Sequence, residues 1–386
     1  MRREHSTPRD GWPAIIESQG LAYHETSHPE NLTRPYWDES VHYVFDMDEV
    51  LAIEADVELL HDMCLKAVEY VISAGRYADF GIPYWVAPAI EASWRRSDPY
   101  LFGRFDLRYD GTGPAKLLEY NADTPTSLVE SAIIQWYWLQ DTHPADDQWN
   151  SLHEKLVDGW KGIAKRIPSG PIHFSWTDMD ESGEEVMTSA YLQETAEQAG
   201  LDTIAISVED IGWHSELRKF LDLEERQIRS LAKLYPWEWV VGDPFGEHAV
   251  ASLGTMAWVE PIWKMLLSNK ALLAILWELH PGHPNLLPAY LNTPGPLLSY
   301  IRKPLLGREG ASMEIVTPQG SQATAGGYGA EGFVYQEFVA LPDFESQHPV
   351  LGAWMVGNES AGLGIRETSG LITDDTSSFV PHRIAR

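Results

Sequence analysis

Apolar residues recur at helical spacing from residue 46 to about 73, at Val50, Leu51, Val57, Leu60, Cys64, Ala67, Val68 and Val71. That spacing predicts a long amphipathic helix, which Gly75 stops. A shorter helix is expected near 88–96. Two apolar segments follow, 101–107 and 116–120, with Gly111, Gly113 and Pro114 between them, and they read as a hairpin. Ser127-Leu-Val-Glu130 has the pattern of a capping box and opens an apolar helix over 128–139. A second helical stretch, 146–166, is closed by Pro168-Ser-Gly170. The rhythm then changes to strand 171–176, helix 184–199 and strand 203–208, a βαβ unit expected to be parallel. Residues 221–242 read as helix and then strand, and 271–279 as an apolar helix. The prolines of His280-Pro-Gly-His283-Pro favour a turn over a metal pair. Residues 300–316 read as strand, glycine-containing loop, strand. Further strands are expected at 333–340, 350–357 and 363–367, with Asp374 and Asp375 on a surface turn. Residues 1–35 are polar and predicted to be irregular.

The hairpin holds the densest chemistry. Arg104-Phe-Asp106 on its first strand is followed by Glu119-Tyr-Asn121-Ala-Asp123-Thr124-Pro-Thr126-Ser127 on and after its second. If the strands pair, Asp106 and Glu119 lie on neighbouring strands, and Glu119 and Asn121 share one face. Such a cluster of hard oxygens is what Mg²⁺ prefers when it also holds phosphate. Arg104 shares the face of Asp106 and offers a guanidinium to a phosphate or carboxylate. The same spacing also fits a solvated hairpin whose charges pair with one another. A strand that ends in carboxylates and runs into a helix N-terminus is a common way to build an anion site.

Two other stretches carry candidate chemistry. In 300–316, Gly307 and Gly310 would let main-chain N–H groups turn towards a phosphate chain, and Arg308 adds charge. It is not a Walker A loop, since no helix follows. The loop inside the βαβ unit is acidic, with Asp178, Asp180, Glu181, Glu184 and Glu185. Loops at the C-terminal ends of parallel strands are favoured ligand sites, although acids at a helix start also simply complement its dipole.

Composition narrows the class. With 386 residues, 44% of them hydrophobic, the chain is long enough for two or three fused subdomains around a large core. A formal charge of −29 argues against nucleic acid and anionic membrane surfaces as partners and would suit a cationic substrate such as a polyamine. The single cysteine, Cys64, rules out an internal disulfide and a thiolate metal cage. No signal peptide and no membrane span is read from the sequence, and a cytoplasmic location is expected.

The Arg-Phe-Asp and Leu-Glu-Tyr-Asn-Ala-Asp motifs resemble the synthetase domain of glutathionylspermidine synthase, and more closely that enzyme's stand-alone acid–amine ligase paralogues. The resemblance runs from about residue 10 to the C-terminus. It implies a mixed α+β chain with a permuted ATP-grasp fold and an additional βαβ-containing subdomain. Residues 1–386 would form one synthetase unit, with N-terminal helices and the metal hairpin in 1–140, a substrate subdomain in 141–255 and a nucleotide region in 256–386. Asp106, Glu119 and Asn121 then correspond to the family's Mg²⁺ ligands, for two ions, and Lys270 and Lys303 to the lysines that clamp the ATP phosphates. Gly307, Arg308 and Gly310 would border those phosphates. Main-chain groups of Gln336, Glu337 and Phe338 would read the adenine, with Glu337 at the ribose. Arg104 and Arg366 would hold the carboxylate and the moving phosphoryl group. Thr124, Thr126 and Ser127 would orient the acid, and Glu184 and Glu185 would meet the amine or peptide substrate. The synthase has serines where Thr124 and Thr126 stand, and Pro125 stiffens the segment, so the acid stays open. The implied reaction joins a small-molecule acid to an amine through an acyl phosphate. A nucleotide-binding regulator, or a phosphotransferase that stops at the phosphorylated acid, would use the same constellation. No amidase domain is expected ahead of these motifs.

Overall fold

A computed structural model describes residues 1–22, 24–27, 33–179, 182–374 and 376–386. Asp180, Glu181 and Asp375 therefore lie outside the described residues.

The chain's longest strands form its central sheet. His348–Val356 and Glu359–Thr368 are joined through Gly357, whose φ of 57° suits a tight turn. His348–Val356 also pairs with Phe102–Arg108, and that strand with Lys116–Asn121. Ser378–Phe379 completes five antiparallel strands. Late and early segments thus meet at one seam, where His348–Val356 pairs with Phe102–Arg108, and this brings the carboxylate hairpin beside Arg366.

A second antiparallel sheet takes Ala289–Leu291, Phe333–Glu337, Tyr300–Pro304, Glu314–Thr317 and Gly320–Ala323 in that order. A third, fully parallel sheet has the order Ala257–Val259, Ser230–Lys233, Ile172–Trp176, Thr203–Ser207. Its last two strands are the predicted βαβ unit, crossed by helix Glu184–Gln198. Ser230–Lys233 runs between two neighbours with all four residues buried.

Helix Met47–Ala74 follows the prediction closely. Asp46 and Glu49 close a capping box, and Gly75 ends the helix in the left-handed region. Its buried stripe is Val50, Ile53, Val57, Leu60, Met63, Cys64, Ala67, Val68 and Val71. Leu51 was expected on that stripe but is 53% exposed, because the i, i+3 step from Val50 reaches Ile53. Cys64 is buried, as expected of a small hydrophobe.

Four local expectations fail, each for a tertiary reason. The described part of 1–35 is not irregular throughout: Arg2–His5 is a strand paired with Val41–Phe45, and Trp12–Ser18 is a helix. The helix expected over 146–166 begins at Leu152, because Asp147 and Asn150 bridge to Ile384 and Gly362. In 221–242 the order is reversed: strand Ser230–Lys233 precedes helix Trp237–Gly242, which starts directly after Pro236. The capping box at Ser127 does not form. Ser127 has φ 66°, its hydroxyl donates to Glu184 and Glu130 accepts from the Tyr36 hydroxyl. Residues 280–283 form a turn, with the His283 N–H on the His280 carbonyl. Among the described residues no helix is long and apolar enough to cross a membrane.

Candidate active site

The carboxylate hairpin pairs as its sequence predicts. Asp106 stands opposite Glu119, and Arg104 opposite Asn121. Directly opposed residues share a face, so four polar side chains project together. Arg104 grips Asp106 with two donors, Nε to Oδ1 at 2.8 Å and Nη2 to Oδ2 at 3.2 Å, and its Nη1 donates to the Thr126 carbonyl at 2.7 Å. Arg366 Nη2 lies 3.3 Å from Asp106 Oδ2. The Asn121 amide lies 3.4 Å from Asp106 and 3.3 Å from Glu119. Gly352 keeps this face clear: it pairs with Asp106, and a Cβ there would stand 3.0 Å from Arg104 Cδ.

The second sheet meets this hairpin through two buried side chains. Lys303 Nζ donates to the Leu118 carbonyl and to Gln336 Oε1, both at 2.9 Å, and Gln336 Nε2 donates to the Leu117 carbonyl. Lys270, just before helix Ala271–Leu279, reaches Glu119 at 3.2 Å and the Gly307 carbonyl at 2.6 Å. Burial penalises the Lys303 ammonium most, Glu119 offsets part of that and Lys270 adds repulsion, so its pKa falls to about 8. Burial works against the Glu119 carboxylate as well, but the two lysines outweigh it and hold its pKa well below the usual range.

In the 307–310 loop the Gly307 carbonyl accepts from Lys270 Nζ, and the Gly307 N–H is bonded to the Pro304 carbonyl. Arg308 leans across the cavity: Nη2 donates to Thr124 Oγ1 at 3.0 Å, Nη1 is 3.6 Å from Glu185, and the guanidinium lies 4.7 Å from the Trp239 ring centroid. Gly310 has φ 68°, and a Cβ there would stand 2.6 Å from the Thr373 carbonyl oxygen. Along 336–338, the N–H groups of Glu337 and Phe338 are already bonded to the carbonyls of Pro288 and Ser299. Those two donors are therefore already committed within the sheet.

Loop 122–127 is held from several sides. Asp123 Oδ1 receives Lys233 Nζ at 2.5 Å, and its Oδ2 receives the Trp237 N–H at 2.8 Å. Both side chains of this ion pair are almost fully buried, at 1% and 2% exposure. Thr124 meets Arg308, the Thr126 carbonyl meets Arg104, and Ser127 Oγ donates to Glu184 at 3.1 Å.

The residues to which the resemblance gives site roles all line one cavity of about 790 Å³, whereas Asp178 of the acidic loop does not. Sequence reasoning passed over Tyr36 and Glu238, which line it too, and Lys233, which anchors its wall through Asp123. Asp123 was visible within the hairpin run. Lys233 and Glu238 lay in the stretch whose strand and helix were read in the wrong order.

A family model described as glutathionylspermidine synthase pre-ATP-grasp matches residues 3–385. The chain belongs to that family. Members of the glutathionylspermidine synthase family are ATP-dependent ligases. A protein of Haemophilus influenzae named "putative acid–amine ligase" is 41% identical over 360 residues, covering 90% of each chain. Trypanothione synthetase of Crithidia fasciculata is 30% identical over 84% of this chain, and the bifunctional glutathionylspermidine synthetase/amidase of Escherichia coli is 26% identical over 83%. The matches span 54% and 56% of those two larger proteins. Among solved structures, a glutathione synthetase-like effector of Globodera pallida superposes with a TM-score of 0.59 over 97% of this chain and 96% of its own, at 8% identity. With the mixed sheets above, that likeness fits an ATP-grasp-type fold.

Proposed function

We propose that this chain activates a carboxylic acid with Mg-ATP and joins it to an amine, through an acyl phosphate. The observation that carries this reading is the shared cavity. An oxygen cluster from the first third of the chain and a basic cluster from the last third face the same space. The donor set fits Mg²⁺: two carboxylates and a carboxamide converge within hydrogen-bonding distance at the cavity wall. When bound there by Asp106, Glu119 and Asn121, Mg²⁺ would neutralise charge on phosphate oxygens.

The chain's own groups then divide the work. Lys270 and Lys303 hold the phosphate chain, while Gln336 keeps the Lys303 ammonium aimed. Main-chain groups along 336–338 meet the base and Glu337 the ribose. Arg104 and Arg366, preorganised around Asp106, hold the acid's carboxylate and the phosphoryl group as it moves. Thr124, Thr126 and Ser127 orient the acid, with Arg308 closing over them. Glu184 and Glu185 give that end of the cavity the negative field a cationic amine requires.

Incubation with Mg-ATP and panels of carboxylic acids and amines tests this. ADP release that needs both an acid and an amine supports the ligase. Release with acid alone would make the chain a phosphotransferase, and binding without turnover a regulator.

A further inference from the structure

An acyl phosphate is attacked only by a neutral amine, yet alkylamines are protonated near pH 7, with pKa values of about 10. A group in the cavity placed to take that proton would therefore speed the attack. Most carboxylates at the acid end are committed. Asp123 is locked by Lys233 and the Trp237 N–H. Glu184 accepts from Ser127, and Glu185 faces Arg308. Asp374 accepts from Thr376 and Ser377. Asp106 and Glu119 are surrounded by Arg104, Arg366 and Lys270.

Glu238 differs. It lies in the first turn of helix Trp237–Gly242, one residue past the N–H that anchors Asp123. It lines the cavity and is only partly exposed. Its carboxylate accepts from its own main-chain N–H and has no ion pair within hydrogen-bonding distance among the described residues. Resting on the ligase reading above, we propose that Glu238 receives the substrate ammonium and is the base that takes a proton from it.

The electrostatics suit that role. Burial, and then the charge of Asp123, raise the pKa of Glu238 above the ordinary carboxylate value, while Arg308 and Lys233 pull the other way. A carboxylate made more basic is a better proton acceptor near neutral pH. The step balances. One ammonium proton passes to Glu238, and the nitrogen lone pair forms the C–N bond. The C–O bond to the phosphate breaks, and the departing phosphate takes the second nitrogen proton. Amide, hydrogen phosphate and protonated Glu238 result.

The experiment compares two nucleophiles with wild type and Glu238→Gln, at saturating Mg-ATP and any acid of the panel that supports ADP release. One is a protonated primary amine. The other is hydroxylamine, which is neutral at about pH 7 and needs no base before attack. The ratio of amide to hydroxamate is expected to fall about 100-fold in the variant. The loss should close as pH rises towards the amine's own pKa. An unchanged ratio, or a lowered ratio that pH does not restore, overturns the proposal. Should Glu238→Gln not fold, Glu238→Asp carries the test: a ratio below wild type supports the role, and one equal to it overturns it. Wild type that releases no ADP with any acid and either nucleophile overturns the ligase reading itself, and this assignment with it.

Discussion

Lys233→Met should be among the most costly single substitutions in this chain, although Lys233 belongs to none of the sequence motifs. Its ammonium lies 2.5 Å from Asp123 Oδ1, with the side chains 1% and 2% exposed. Removing the cation leaves a buried carboxylate with one remaining donor, the Trp237 N–H at 2.8 Å. Breaking such a pair from one side costs about 3–5 kcal/mol, chiefly the desolvation of the charge left behind. Lys233→Met with Asp123→Asn removes that charge and keeps an acceptor for the Trp237 N–H. What then remains is about 1–3 kcal/mol for an amide left short of one partner. The double variant is therefore expected to be about 2 kcal/mol more stable than Lys233→Met alone. Urea unfolding of wild type, both single variants and the double variant closes the cycle. A chain of several sheets need not unfold in one step, so the transition that shifts is the one to compare. A loss below about 1 kcal/mol for Lys233→Met, or simple additivity, would refute the reasoning. The same variant should raise KM for the acid more than for ATP, because Asp123 anchors loop 122–127.

Three further outcomes follow from the site. The pKa of Lys303 lies at about 8 in the folded chain, against an ordinary value of 10.5, so between those limits the unfolded chain binds more protons and the free protein gains stability as pH rises. On the proposed reading Lys303 holds the phosphates in its charged form, so nucleotide affinity should weaken above about pH 8 and binding there should take up a proton. Calorimetry in buffers of differing ionisation enthalpy measures that uptake, and its persistence in Lys303→Met would contradict the assignment. Glu119→Gln should cut ADP release by at least about 100-fold in a chain that still folds, as judged by circular dichroism; unchanged ATP consumption would remove Glu119 from the metal set. Gly310→Ala forces a Cβ to 2.6 Å from the Thr373 oxygen at φ 68°. It should cost about 1–3 kcal/mol and raise KM for ATP; a neutral effect on both would show that the loop is not seated as described.

Local pattern alone determined the elements whose signals are local. Helix Met47–Ala74 carries its own cap, stripe and glycine stop, and the hairpin carries its own alternation and turn, so Asp106 opposite Glu119 follows from strand periodicity. Those residues and the motif resemblance were enough to select much of the cavity lining, though not Tyr36 or Glu238. Tertiary structure decided what depends on partners distant in sequence. Asp147 and Asn150 were withdrawn from a helix by bridges to Ile384 and Gly362, and Ser127 gave up a capping role to meet Glu184. Arg308 reached Thr124, and Lys233 found Asp123, each more than a hundred residues away in sequence. The physical reason is the same in each case. A buried charge or an unpaired main-chain group costs more than a weak local preference returns, and its satisfaction depends on which segments the fold packs together.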